Sequence, residues 1–197
     1  MTIFDIPDAL GLCQNIDKPT NAKAKMNAAT ERIAEVLRAR DWTFEVDEQS
    51  QMISTGCNGD NGQWRVRAGG IRDVAVIILS RFPVNCPEAK RAACAELFTR
   101  INFGAPTVAF EMDYKDGEIF CKTSVPYDKE LPPAELLDKL FSFNLSTMDL
   151  HLPAIMSVIY AGISPAKALA DLEKAEAVKH AKARRAKRSI QSRFQMN

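Results

Sequence analysis

The sequence is poor in the residues that most often carry chemistry. Its 197 residues include two histidines, His151 and His180. There is no HExxH, no CxxC, no EF-hand spacing and no P-loop, so the usual metal and nucleotide sites have no carrier, and neither a metal nor a cofactor is expected. No apolar run approaches the ~18 uncharged residues of a membrane span. The longest candidate, Leu150 to Ile163, is interrupted by His151, Pro153 and Gly162. The opening residues MTIFDIPDALG have no basic segment ahead of an apolar one, so no signal peptide is expected. The five cysteines are odd in number, which fits reduced thiols in a cytoplasmic protein better than a disulfide frame. Charge of one sign is also missing overall, since the formal net charge is +1.

That balance conceals an asymmetry. Lys179, Lys182, Arg184, Arg185, Lys187, Arg188 and Arg193 follow one another with no acid between them. The remaining 19 bases face 25 acids, so the rest of the chain is acidic by six. A hydrophobic content of 46% and a charged content of 26% are ordinary for a globular chain. Three regions are expected: an N-terminal extension over 1–19, one domain over 20–172, and a basic tail over 173–197, partly helical or disordered.

The clearest local pattern is Thr107 to Val125. Asp116-Gly117 predicts a two-residue type I′ turn, because both residues tolerate positive φ. Counting outward pairs Tyr114 with Ile119, Met112 with Cys121, Phe110 with Thr123 and Val108 with Val125, all on one apolar face. The other face then pairs Glu111 with Lys122.

Helical spacing of Met26, Ala29, Ile33, Val36 and Leu37 predicts a helix from Thr20 or Asn21 to Arg40. Short strands are expected at Thr43–Asp47, Met52–Thr55, Trp64–Ala68 and Asp73–Phe82, with GCNGDNG (56–62) as a turn. The last strand is apolar on both faces, which places it centrally or under a second cover. A helix opens at Asn85-Cys86-Pro87 and stops at Gly104. After Pro132-Pro133 another begins near Ala134, with a kink or break expected before Pro153 and Asp149 as the cap of a second helical segment. Gly162 ends that segment, and Ser164-Pro165 starts a last helix. Strands and helices in separate runs indicate an α+β fold with a mostly antiparallel sheet.

Asn102, Asp116-Gly117, Asn144, Met148-Asp149, Pro153-Ala154, Tyr160 and Ser164-Pro165 together resemble the YbjN family of bacterial proteins. The resemblance implies a twisted antiparallel sheet flanked by helices, similar to type III secretion chaperones. It also implies a non-catalytic protein-binding module, a sensory-transduction regulator or chaperone-like adaptor, with a homodimer as one form. It brings no catalytic residues with it, so no enzymatic activity is expected. Candidate partner-binding residues are Glu111, Asp113 and Lys122 on the polar face of the hairpin. The tail residues Lys182, Arg184, Arg185, Lys187 and Arg188 are candidates for nucleic acid or another acidic surface. Asp149 with His151 lacks the third group that a catalytic site needs. GCNGDNG has no phosphate-binding lysine, and Cys57 has no evident activating base.

Overall fold

The computed structural model describes residues 26–194, with side chains up to residue 182 and at Arg184. Six strands form one antiparallel sheet: β1 (Glu45–Asp47), β2 (Met52–Asn58), β3 (Gln63–Ile71), β4 (Ala75–Arg81), β5 (Ala109–Met112) and β6 (Ile119–Pro126). Their order is β1-β2-β3-β4-β6-β5, so the strand that is apolar on both faces, β4, is central. Four α-helices accompany the sheet among the described residues: α1 (Ala28–Ala39), α2 (Arg91–Gly104), α3 (Ala134–Tyr160) and α4 (Pro165–Phe194). This is the α+β fold expected. Helices α1 and α3 pack on the sheet, α2 packs on β5, and α4 packs on α2 and α3.

Alternation divides the sheet cleanly. Trp64, Val66, Ala68, Val76, Ile78 and Cys121 face the helices and are buried with Ile33, Leu37, Phe141 and Ile155. Each such large side chain contributes roughly 1.5–3 kcal/mol on leaving water. Helix α1 begins later than its apolar spacing suggested. Its N-cap is Asn27, whose Oδ1 accepts from the Thr30 amide at 2.8 Å. The expected caps Thr20 and Asn21, and the whole 1–19 extension, lie outside the described residues. Gly70 lets α1 approach closely, since a Cβ there would stand 2.6 Å from the Ala29 Cβ.

Two hairpins differ from expectation. Arg72 and Asp73 both have positive φ (48° and 54°), and the Val74 amide donates to the Ile71 carbonyl at 3.0 Å. The type I′ turn therefore joins β3 to β4, and Val74 sits in it, exposed, instead of in the strand. At Asp116-Gly117 only the glycine has positive φ. Asp113 and Glu118 close a four-residue loop, and the register is Phe110 with Cys121 and Met112 with Ile119. The pairing is thus two residues out from the expected one. A slip of two keeps every side chain on its face, so the apolar set survives and Tyr114 alone leaves it for the surface.

Helix α3 runs unbroken across Pro153 for 27 residues. The carbonyl of Asp149, which a proline at 153 cannot reach, accepts from the Asn61 side-chain amide at 3.1 Å instead. Helix α2 does not stop on a left-handed Gly104, because Gly104 is still helical. It stops because Ala105 turns extended (φ −104°, ψ 110°) ahead of Pro106. Gly162 does adopt positive φ, and the Ile163 amide closes the end of α3 on the Ser157 carbonyl at 3.2 Å.

Candidate functional site

The marker residues of the sequence are tied to the fold. Asn144 is fully buried on α3 and reaches the sheet. Its Nδ2 donates to the Cys121 carbonyl at 2.9 Å and to Thr123 Oγ1 at 3.1 Å. Its Oδ1 accepts from Ser80 Oγ at 2.6 Å, and Ser80 Oγ in turn accepts from Trp64 Nε1 at 3.1 Å. Asn102 holds the edge strand β5 by two bonds with Phe110, donating to its carbonyl at 3.0 Å and accepting from its amide at 2.8 Å. The expected turn over 56–62 is shorter, because Gly56, Cys57 and Asn58 belong to β2, and in the remaining GDNG turn (59–62) the Asn61 amide donates to Asp149 at 2.8 Å. That removes the donor a phosphate would need. It also explains Gly59, where a Cβ would stand 2.1 Å from Asp149 Oδ1.

Asp149 and His151 do not form a pair. Asp149 is engaged by Asn61, whereas His151 Nδ1 donates to the Thr147 carbonyl at 2.9 Å and its ring meets the Phe110 ring edge-on at 5.7 Å. His151 lines an apolar groove of about 600 Å³ between the end of α2, α3 and the start of α4, beside Phe143 and Leu172. The cysteines are quiet. Burial raises the Cys57 thiol, with the Asp149 charge adding to it, and pushes Cys94 up to about 12. Cys86 and Cys94 sit 3.3 Å apart as free thiols.

What remains is the sheet face opposite the helices. Register places Met52, Ile77, Leu79 and Phe120 on it, and the first three are buried together with Phe120 and Ile71 packed against them. Strands β3, β4 and β6 carry four charged residues, all basic and all on this face: Arg65, Arg67, Arg81 and Lys122. Acids stand at its margins. Glu111 pairs with Lys122, diagonally and not directly opposite, because Lys122 faces Ala109 in the register. Glu118 pairs with Arg81. Asp113 lies in the exposed loop, its carboxylate accepting from the Lys115 amide at 2.8 Å. The hairpin candidates Glu111 and Lys122 thus share one surface with three arginines that the sequence did not single out. Their signal was the alternation of Arg65 and Arg67 between Trp64, Val66 and Ala68.

A family model described as "putative bacterial sensory transduction regulator", YbjN, matches residues 29–156. The chain belongs to the YbjN family. No curated protein matches it. The YbjN match contains Asn102, Asn144 and Asp149, and it ends before α4. The family's description names a regulator and no enzymatic activity. Among the described residues no helix is long and apolar enough to cross a membrane.

The basic residues lie outside the YbjN match, on the distal half of α4. Lys182 and Arg184 are exposed there, and Arg185, Lys187 and Arg188 continue the same helix. Lys179, one turn earlier, pairs with Asp60 at 3.5 Å.

Burial sets one pH response. Desolvation holds the His151 imidazole below its ordinary value near 6.5, against the opposing pull of the Thr147 carbonyl. Below about pH 6.5 the unfolded chain takes up a proton that the folded chain refuses, so stability falls as pH drops from there through the folded value. Urea midpoints between about pH 7 and pH 5.5 should fall in the wild type and fall less in His151→Gln, which removes the titration. Equal slopes would show that His151 does not carry the effect.

Proposed function

We propose that this YbjN protein is a non-catalytic, protein-binding regulator, and that its partner docks on the sheet face opposite the helices. The observation that carries this is the set of bases Arg65, Arg67, Arg81 and Lys122 on one face with half-buried Phe120 and the largely covered Ile77 and Leu79. Apolar centres with arginine around them are what protein interfaces favour, and helices α1 and α3 occupy only the other face. Asn102, Asn144 and Asp149 support the same reading from the other side, because each is engaged by hydrogen bonds within the fold. The reading keeps the chaperone-like character implied by the resemblance, with an acidic, apolar partner segment and a cytoplasmic setting that leaves Cys86 and Cys94 reduced.

Exposed Arg65 supplies the test. Arg65→Glu should leave the fold intact by circular dichroism and lower capture of the wild-type protein's partner at least tenfold. A partner captured equally by both forms would move the interface elsewhere.

A second reading is carried by the run of bases on α4. Nucleic acid, or another acidic surface, would bind there chiefly through charge, since the tail contains only Phe194 as a Phe, Tyr or Trp to stack on a base. Affinity for a DNA duplex should then fall steeply with salt, and Lys182→Glu with Arg184→Glu should weaken it at every salt concentration. Binding that is insensitive to both would end this reading.

A further inference from the structure

The helical side of the molecule carries a groove that the protein-binding reading does not use. It lies between the end of α2, the middle of α3 and the start of α4, and holds about 600 Å³. We propose that this groove binds a small amphipathic amine, with the apolar body between the helices and the ammonium group at the α4 rim.

The walls set the body of the ligand. Ile101 comes from α2, Val108 from the approach to β5, Phe143 from α3, and Leu169 and Leu172 from α4. Ile101 and Val108 are buried, the two leucines are half-buried, and Phe143 is exposed. Small-molecule sites have this size and character: roughly 300–1,000 Å³, mostly apolar, with a few polar groups that orient the ligand. Helix α4 lies beyond the YbjN match, so the groove is completed by a helix outside the matched residues.

The polar groups set the head. His151 lines the groove, and its Nδ1 donates to the Thr147 carbonyl. In the neutral ring Nε2 therefore carries the lone pair, and it has no partner among the described residues. Burial keeps that ring neutral at pH 7. Glu173 and Glu176 add two carboxylates along the α4 side. Glu173 forms no ion pair among the described residues, and Glu176 has only His180, at 3.9 Å. The base on the rim, Arg100, is committed to Glu96, with Nε and a terminal nitrogen each 2.8 Å from the same carboxylate oxygen.

The charged and ring-nitrogen groups left free are thus acceptors, and a ligand held by them must donate. An anionic head would meet two carboxylates of its own sign. A protonated amine meets the opposite sign, and the exposed Phe143 ring offers it an aromatic face.

The probe is tryptamine, which joins an indole ring to a protonated amine. Indole-3-propionate carries the same ring with a carboxylate. Titrated into the full chain at about pH 7.5 and followed by NMR, tryptamine should shift the His151 ring signals and saturate with a Kd below about 1 mM. Indole-3-propionate should bind at least tenfold more weakly. Glu173→Gln, at an exposed position, should weaken tryptamine at least threefold. His151→Phe keeps a ring against Phe110 and removes the acceptor, and it should weaken tryptamine by as much. Equal binding of the two probes, no saturable binding of tryptamine, or affinity unchanged in either variant would overturn the proposal. Arg65→Glu alters the other face of the sheet and should bind tryptamine as the wild type does, so the groove and the partner surface fail separately.

Discussion

Asn144→Leu should destabilise the fold by about 2–4 kcal/mol, although leucine has as many side-chain heavy atoms as asparagine. Leucine is the bulkier of the two, and crowding adds to a loss that begins with hydrogen bonds. The asparagine is fully buried, and it is where α3 is hydrogen-bonded to both β4 and β6. Leucine leaves the Ser80 hydroxyl without its acceptor and Thr123 without its donor, inside a core where water cannot replace them. An unsatisfied buried group costs about 1–3 kcal/mol, more than the net gain from making its bond. A double-mutant cycle gives the sharper result. Ser80→Ala removes the same bond from the other end, so the two changes together should cost less than their sum by about 1 kcal/mol. Full additivity in urea melts would mean that the two side chains are not coupled.

The same residue illustrates how much a sequence of this kind reveals. The inner face of β3 was legible, because period two with Trp64, Val66 and Ala68 against Arg65 and Arg67 admits one reading, as was that of β6 through Ile119 and Cys121, whereas β4, apolar on both faces, showed no inner side. Helix α2 was legible through Cys94, Leu97, Phe98 and Ile101, and all four are buried. What periodicity does not encode is who completes a polar group far away in the chain. Asn144 bonds to residues 21 to 66 positions earlier, and Asn61 reaches Asp149 across 88. These partnerships made Asn102, Asn144 and Asp149 visible as markers of a family while hiding their role as fasteners. Of the kink or break expected before Pro153, the break did not occur for the same reason, since the acceptor freed by proline found Asn61. The candidate surface was half legible. Glu111 and Lys122 lie on it as expected, but its arginines come from strands whose register no local pattern fixed.

Gly117→Val should cost about 3–4 kcal/mol and lower the melting temperature by roughly 10 °C, more than a hairpin tip ordinarily allows. In a free two-residue turn only the positive φ would matter, and the loss would be near 1 kcal/mol. Here Gly117 has φ 80° and lies against the backbone of Cys86, where a Cβ would stand 2.0 Å from the carbonyl oxygen. That neighbour is main chain and cannot rotate aside. The Cys86 amide also donates to the Gly117 carbonyl at 2.7 Å, so retreat breaks a bond. The loop is fastened further by Asn85, which donates to the Asp116 carbonyl at 3.3 Å, and by Arg91, which donates to the Tyr114 carbonyl at 2.7 Å. The hairpin tip is therefore clamped to the chain that leads from β4 into α2. Gly104→Ala is the control: it meets nothing within 4 Å and sits in a helix, so it should be neutral or stabilise by up to about 1 kcal/mol. If Gly117→Val melted like Gly104→Ala, the loop would be a free turn after all, and the four-residue register of the hairpin would fall with it.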